Sequence, residues 1–460
     1  MSSRLVAPLV ALALLGGCAA AAPAPAAPAA PDPDRPVVSA TLDLADDLGT
    51  ATGTHSVRFT PDREVCEVVL RLWTNRPTTV RNGNSTELTS ARVDGAPVDP
   101  QVEQAGAPDG APGTLVTLPM PSCVPAGTPV TAETGFETTL GDGSTERIGR
   151  SGADTAWLGS PLPVLPWVRG EGWIRDPAVG MSGEQVVAED FRLESLEVTA
   201  GDGQAVVGVG DPAGTGPAGP GRTAHRFTAD AIRDVAVAVG DYEMTEAEVN
   251  GVAVRVGVPD GADHDGDAAV EQVRTELGKL EELLGPHPYR NLWVTIVPGQ
   301  SDGIEFPTHL QFGSTGSASL VAHELAHSWF YSLVGNDQGR DPWLDETFAT
   351  WAQAIVSDQF DYYRLDRFSP DDDGPIGAPM SYWDDRGGFS GYVTGVYDQG
   401  AAALLEGRER VGEERFDAAM RGYLDANAHR VAGPADVETA FADLPEVLEV
   451  LREHGAFDSP

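Results

Sequence analysis

Residues 319–331 have the sequence SLVAHELAHSWFY, in which good helix formers surround two histidines and a glutamate. Positions i and i+4 share one face of a helix, so His323 and His327 can direct their imidazole nitrogens at one tetrahedral metal ion. Glu324 lies beside them, where it can accept a proton from a water molecule at that metal. For this stretch alone, a core helix whose histidines only satisfy hydrogen bonds remains an alternative.

A second segment, DPWLDETFATW at 341–351, supplies a third candidate ligand. It predicts the start of a helix whose Glu346 follows His327 by 19 positions. A catalytic zinc site needs three protein ligands and one open position for water. Two neutral imidazoles and one carboxylate meet that need and leave the site net positive, which suits a Lewis acid that lowers the pKa of water to about 7. The two segments therefore predict one Zn²⁺ bound by His323, His327 and Glu346.

This zinc motif, with eighteen residues between the second histidine and the glutamate, resembles that of the gluzincin metallopeptidases of the aminopeptidase N type. Four further segments are similar to family segments in the same order, namely RDVAVAVGD at 233–241, GPHPY at 285–289, GIEFP at 303–307 and YDQGA at 397–401. The similarity covers roughly residues 37–443 and is most specific between 285 and 405. It implies a hydrolase that cleaves peptide bonds and releases N-terminal amino acids.

The resemblance also implies roles for single residues. Glu324 would act as general base toward the attacking water and then as general acid toward the leaving amine. Tyr397 would donate its hydroxyl to the oxyanion of the tetrahedral intermediate. Glu305, with Gly303 in the same motif, would bind the substrate's α-ammonium, so the expected partners are peptides with a free N-terminus. The alternatives are a solvated glutamate on an edge strand and a tyrosine that only packs its ring.

The sequence departs from the family pattern at three motif positions. Ile304 and Phe306 stand where the family's GxMEN motif has Met and Asn, and Gln399 stands where the family has Lys two residues past the tyrosine. The large C-terminal helical domain of many relatives has no counterpart in the given sequence. We therefore expect altered amine recognition and a more open cleft that also admits longer peptides or internal bonds.

The 460 residues predict two domains and the α+β fold class. Short alternating or apolar runs between Gly, Pro and Asp predict an antiparallel β-sandwich or saddle over residues 37–245. Residues 246–460 are expected to form a thermolysin-like, mainly α-helical catalytic domain. Its predicted elements are helices over 267–284, 317–334, 343–360, 395–411 and 413–426 and a strand over 292–297. We interpret the Gly- and Pro-rich stretch 208–221 as a hairpin loop.

The N-terminus predicts export. Residues 1–17 contain Arg4 and an apolar run that is too short to span a membrane, as in a signal peptide. The run ends in Leu-Gly-Gly-Cys, which resembles the bacterial lipobox, so Cys18 is the expected lipidation site; an ordinary signal peptide with a chance cysteine is the alternative. The Ala- and Pro-rich residues 18–36 would form an extended tether. We expect a lipoprotein on the extracellular face of a bacterial cell membrane.

Two further cysteines, Cys66 and Cys123, remain once Cys18 carries lipid. An exported protein can pair them in a disulfide, whereas two free thiols are the alternative. They have no zinc-ligand spacing and no Cys-x-x-Cys pattern. We expect a structural role.

The charge balance excludes nucleic acid as a partner. The chain has 70 Asp and Glu against 30 Lys and Arg, a formal net charge of −40, and Lys279 is its only lysine. Phosphate binding needs clustered basic residues, which this sequence cannot assemble. The sequence gives no indication of oligomeric state.

Two other functions compete with a zinc peptidase. Gly299–Gly303 fits the G-x-S-x-G pattern of a serine hydrolase with Ser301 as nucleophile, but a strand-like segment follows where that motif requires a helix. A surface lipoprotein that binds peptides without catalysis would have lost a ligand or the base. All four of His323, Glu324, His327 and Glu346 are present.

Overall fold

The structure is a computed structural model that describes residues 30–457. The predicted signal peptide 1–17, the lipidation site Cys18 and most of the 18–36 tether lie outside the described residues. Within the described part, no helix is both long enough and apolar enough to cross a membrane.

The first half of the chain is built from β-strands, as predicted. Its largest sheet has eight strands, and Val37–Leu44 illustrates the pattern, because Val38, Ala40, Leu42 and Leu44 are buried while the residues between them are more exposed. All neighbours pair antiparallel except Val37–Leu44 and Phe191–Gly201. The spatial order is Asp211–Gly219, Arg222–Ile232, Phe191–Gly201, Val37–Leu44, Thr50–Phe59, Val130–Thr139, Ser85–Val93 and Ala96–Pro97.

Smaller sheets complete this half of the molecule. One has the order Val65–Arg71, Leu115–Val124 and Gln101–Glu103; the next has the order Ala205–Val207, Ala236–Gly240, Thr155–Gly159 and Ile148–Ser151; and a ribbon pairs Trp167–Val168 with Gly172–Trp173. Trp157 and Phe136 lie in the shared core. A 3-10 turn Trp73–Asn75 and a short helix Pro77–Arg81 are the helical elements described here.

The second half combines helices with a mixed five-stranded sheet. The order of the sheet is Tyr242–Val249, Val252–Pro259, Asn291–Ile296, His309–Phe312 and Gly303–Phe306. The α-helices are Gly266–Leu284, Ala318–Ala326, Trp343–Val356, Pro370–Asp373, Met380–Arg386, Gly388–Tyr392, Gln399–Val411, Glu413–Asn427, Pro434–Ala440 and Pro445–Glu453, with a 3-10 turn Leu365–Arg367 and a π-helical segment Val393–Asp398. The α+β prediction is confirmed, with more strands in this half than the sequence indicated.

The chain changes sheets slightly before the predicted boundary at residue 245. Ala236–Gly240 belongs to the four-stranded sheet of the first half, whereas Tyr242–Val249 pairs with Val252–Pro259 in the five-stranded sheet. The predicted boundary therefore falls inside a strand of the second half. The sequence pattern does not show this change of sheet, because the segments on both sides of the junction are β-strands.

Two local predictions were wrong. The stretch 208–221 is not a loop, since Asp211–Gly219 is an edge strand paired with Arg222–Ile232; an edge strand tolerates Pro and needs no apolar alternation. The helix predicted over 317–334 ends at Ala326. Beyond it, the N–H groups of residues 332–334 reach back five positions to the carbonyls of 327–329, which replaces the α-helical ladder with a wider turn.

Candidate active site

Three side chains converge in a cleft of about 340 Å³ that residues of both halves line. His323 Nε2 lies 3.1 Å from His327 Nε2 and 3.2 Å from Glu346 Oε2. His327 Nε2 lies 3.4 Å from the same carboxylate oxygen. All three residues are buried. The structure thus brings together the three predicted ligands.

Two helices place these ligand atoms. The first ligand helix, Ala318–Ala326, carries His323, and His327 follows as its C-cap residue with helical backbone angles. Both imidazoles therefore lie on one face, one turn apart. The second ligand helix, Trp343–Val356, carries Glu346 in its first turn.

The ligand atoms have the spacing that zinc requires. A tetrahedral zinc ion with bonds of about 2.0–2.1 Å holds its ligand atoms about 3.3–3.4 Å apart. The three separations of 3.1, 3.2 and 3.4 Å are close to this value. His327 Nδ1 faces two acceptors, the Asp345 carboxylate and the Phe330 carbonyl, so the single proton of a neutral imidazole lies on that side and Nε2 presents a lone pair to the ligand cluster. The residues present therefore fit one Zn²⁺.

Buried polar groups support the ligands from behind, and sequence reasoning missed them. Asp345 Oδ1 lies 2.6 Å from His327 Nδ1, the ring nitrogen that faces away from the ligand cluster. A carboxylate in this position fixes the orientation of the ring and strengthens the imidazole as a ligand. Gln338 Nε2 donates to Asp345 Oδ2 at 2.7 Å. The available signal was the Asp that directly precedes Glu346 in the sequence.

Glu324 has the environment of a general base. Burial raises the pKa of its carboxyl group well above the ordinary value. Its Oε2 has no hydrogen-bond partner among the described side chains and backbone groups. Gly303 touches it, and a Cβ on Gly303 would lie 2.4 Å from the Glu324 carboxyl group. Gly303, predicted to bind substrate, therefore also leaves room for the base.

Tyr397 stands over the first histidine ligand. Its ring is stacked on His323, with centroids 5.7 Å apart and planes inclined by 13°. It belongs to the π-helical segment Val393–Asp398, and such segments are frequent at functional sites. Burial and the nearby Glu346 carboxylate raise the pKa of Tyr397 well above its ordinary value, so the hydroxyl keeps its proton and can donate.

Glu305 lies in the cleft beside a second acid that the sequence did not reveal. It is on the edge strand Gly303–Phe306, as expected, but it is only 4% exposed rather than solvated. Carboxylate oxygens of Glu184, Glu305 and Glu346 lie within 4.8 Å of one another. Burial and the charge of Glu184 raise the pKa of Glu305 well above its ordinary value. Nothing in the local sequence around Glu184 marks it as a site residue.

The charges around this pair do not balance. Arg147 pairs with Glu184, and Arg76 pairs with Glu146 at 3.1 Å. Both arginines are thus engaged, and Glu305 has no salt-bridge partner among residues 30–457. Glu146 and Glu184 each have an arginine partner and Glu305 has none, so a cation in the cleft would stabilise the ionised form of Glu305.

Two other predicted residue groups lie elsewhere. Ser301 is exposed, and no described histidine hydrogen-bonds to its hydroxyl, so the structure does not assemble a serine hydrolase site around it. Cys66 and Cys123 form the predicted disulfide. It joins Val65–Arg71 to Leu115–Val124 in the three-stranded sheet of the first half.

Residues 313–370, which contain both ligand helices, match the sequence model of the family described as "Peptidase family M1 domain". The predicted resemblance is confirmed. Aminopeptidase M1-A of Oryza sativa subsp. japonica is 26% identical over 242 residues, which is 45% of this chain and 27% of that protein. Aminopeptidase N of Streptomyces lividans is 27% identical over 231 residues, 42% of this chain and 27% of that protein. The chain thus aligns with about a quarter of the length of these relatives.

Solved structures share the fold over nearly the whole chain. An M1 zinc metallopeptidase from Deinococcus radiodurans superposes with a TM-score of 0.67 at 18% identity, covering 92% of this chain and 94% of that one. A mutant of that protein bound to a Tyr-Ser-Ala substrate gives a TM-score of 0.65 at 16% identity, covering 92% and 94%. The two-domain architecture is therefore one that M1-type metallopeptidases adopt.

Proposed function

We propose that this protein is a zinc-dependent peptidase that releases N-terminal amino acids from peptides. The observation that carries the proposal is the short distance between the ligand cluster and the acidic pair, since Glu184, Glu305 and Glu346 approach within 4.8 Å. An α-ammonium nitrogen lies only about 2.5 Å from the carbonyl carbon of its own residue. A peptide whose ammonium binds Glu305 and Glu184 therefore presents its first peptide bond to the zinc site.

Each of the site residues has a separate role in the proposed reaction. When bound, Zn²⁺ supplies a Lewis acid that polarises the carbonyl and lowers the pKa of water. Glu324 accepts a proton from the attacking water and passes it to the leaving amine. Tyr397 donates its hydroxyl to the oxyanion, and its raised pKa keeps that proton in place. Asp345 holds His327 in orientation.

The relatives support this proposal. The curated matches from Oryza sativa and Streptomyces lividans are named aminopeptidases. The Deinococcus radiodurans structure with its Tyr-Ser-Ala substrate is a peptide complex on the same fold. The buried Glu305 carboxyl group without a cationic partner favours a substrate with a free N-terminus, even though Ile304 and Phe306 replace the family's Met and Asn.

The experiment compares amino acid release from an unblocked peptide and from its N-acetylated form, with and without a chelator. We expect much faster cleavage of the unblocked peptide than of the N-acetylated peptide, and loss of both activities with the chelator. Glu324→Gln should retain zinc and lower kcat by about 10²–10⁴-fold. Full activity of Glu324→Gln would contradict the mechanism, and equal cleavage of both peptides would contradict the role of Glu305. Peptide binding without any turnover would favour the non-catalytic alternative.

We further propose that the protein is exported and anchored to the extracellular face of a bacterial membrane by lipid on Cys18. The support is the order of the n-region, the apolar run and Leu-Gly-Gly-Cys in the sequence. The Cys66–Cys123 disulfide agrees with an oxidising compartment. Metabolic labelling with a radioactive fatty acid should label the wild-type protein and not Cys18→Ala. Equal labelling of both proteins would overturn this assignment.

A further inference from the structure

Gln338 connects the metal-ligand side of the cleft with its acidic side. It lies between the two ligand helices and is only 1% exposed. Its Nε2 donates to Asp345 Oδ2 at 2.7 Å and to Glu305 Oε1 at 3.4 Å. Its Oε1 accepts the backbone N–H of Val186 at 3.0 Å. We propose that Gln338 is a positioning residue that holds Glu305 at a fixed distance from the zinc ligands, an inference that rests on the proposed peptidase function.

The chemistry of the primary amide suits this position. An amide carries two N–H donors in one plane and a carbonyl acceptor on the opposite arm. The two donors of Gln338 serve two different carboxylates, Asp345 and Glu305. A carboxylic acid offers one donor at most, and an apolar side chain offers none. Only an amide can make all three contacts at once.

The orientation of Glu305 depends on this contact. Among the described residues, Gln338 is the one side chain that donates a hydrogen bond to the Glu305 carboxylate. The guanidinium of Arg147, which lines the same cleft, is paired with Glu184. A chain of contacts therefore runs from the ligand His327 through Asp345 and Gln338 to the amine-binding carboxylate.

Gln338 also reaches the second acid of the pair. The side-chain oxygen of Gln338 accepts the N–H of Val186, which follows Glu184 by two residues in the first half of the chain. The backbone N–H of Gln338 in turn donates to the Val186 carbonyl at 3.4 Å. The same residue therefore fixes Glu305 directly and the segment of Glu184 through the backbone. Gln338 thus helps to fix both carboxylates that would bind the substrate's ammonium, Glu305 and Glu184, relative to the zinc ligands.

The first test uses Gln338→Met, which conserves the length of the side chain and removes both donors and the acceptor. A hydrogen bond to a charged group contributes enough for roughly a tenfold effect. We expect KM for an unblocked tripeptide to rise roughly tenfold, with one zinc per chain retained and with the slow cleavage of the N-acetylated tripeptide unchanged. Gln272→Met, on helix Gly266–Leu284, is the matched control and should behave as wild type.

A second readout does not depend on the zinc-loaded enzyme. Calorimetry with chelator-treated protein measures binding of L-leucinamide, which carries a free ammonium, and of N-acetyl-leucinamide as control. We expect roughly tenfold weaker binding of L-leucinamide to Gln338→Met than to wild type. In a Glu305→Gln background, Gln338→Met should cause no further loss, because the carboxylate that it positions is gone.

The outcomes separate the inference from the proposed function. A wild type that releases no residue from any peptide refutes the proposed function. A wild type that prefers unblocked peptides, together with a Gln338→Met variant of unchanged preference, refutes the role of Gln338 alone. An equal fall for blocked and unblocked peptides would indicate a merely structural role and also overturn it. If Gln338→Met does not fold, Gln338→Glu is the second variant, because it keeps an oxygen that accepts the Val186 N–H and loses at least one of the two donated hydrogen bonds. An unchanged preference of this variant for unblocked peptides overturns the inference as well.

Discussion

Replacing Gly303 by alanine should displace the general base without touching the metal ligands. Gly303 begins the strand Gly303–Phe306, and its extended backbone is one that alanine adopts without strain. The added Cβ would lie 2.4 Å from Cγ, Cδ and Oε1 of Glu324. Carbon atoms in contact are normally about 3.5 Å apart, so the carboxyl group must move by about 1 Å.

This displacement sets the expected magnitude. A misplacement of about 1 Å of a reacting group costs on the order of 10²-fold in rate. We therefore expect kcat of Gly303→Ala for an unblocked peptide to fall about 100-fold. Zinc content should remain at one per chain, because Glu324 is not a ligand. The melting temperature should change little, since the group that moves is the end of a flexible side chain.

The assay measures kcat, zinc content and melting temperature for Gly303→Ala beside a matched glycine variant. Gly422 lies in helix Glu413–Asn427, and nothing is within 4 Å of the Cβ that alanine would add. Gly422→Ala should therefore keep wild-type kcat and gain up to about 1 kcal/mol in stability. A Gly303→Ala variant with kcat within twofold of wild type would refute the placement of Glu324 as base.

Three further predictions address the surroundings of the site and the stability of the chain. Asp345→Asn should weaken zinc binding about 10–100-fold in a chelator competition, because it removes the carboxylate that orients His327. Burial lowers the pKa of His309 to about 4, so the unfolded chain binds more protons than the native state between about pH 4 and 6.5. The free energy of unfolding should fall as pH drops through this range, by up to about 3 kcal/mol from this residue, and His309→Gln should flatten that slope in urea titrations. The disulfide closes a loop of 57 residues, so replacing Cys66 and Cys123 by serine should cost about 4 kcal/mol in the same titrations, and an unchanged midpoint would contradict this.

The ligand set could be predicted because its geometry is local. His323 and His327 are one helical turn apart, so their spacing places both on one face. Glu346, in the first turn of the next predicted helix, was assigned because a catalytic zinc ion needs a third protein ligand. Gly303 and Glu305 could be predicted as site residues only because their motif resembles that of a known family. The coarse order of a β-rich half and a helical half followed from apolar periodicity.

The supporting residues could not be predicted because the tertiary fold assembles them. Glu184 comes from an irregular segment of the first half, and in the cleft it pairs with Arg147, which is 37 positions away in the sequence. Gln338 lies in a turn between two helices, where no periodicity marks a buried residue. The end of the first ligand helix at Ala326 was missed because residues 327–334 contain no Gly or Pro that would mark it, and Gly335 is the first such residue. The backbone bonds of residues 332–334 nevertheless follow a five-residue spacing.

The most direct test of the account is a zinc titration of the chelator-treated protein, with hydrolysis of an unblocked peptide measured at each addition. The ligand atoms of His323, His327 and Glu346 enclose a single site, so activity should be absent without zinc, rise in proportion to added zinc and reach its plateau at one zinc per chain. Glu346→Ala should show neither stoichiometric binding nor activity over the same range. Full peptide hydrolysis by the zinc-free protein, or by Glu346→Ala, would contradict the central claim.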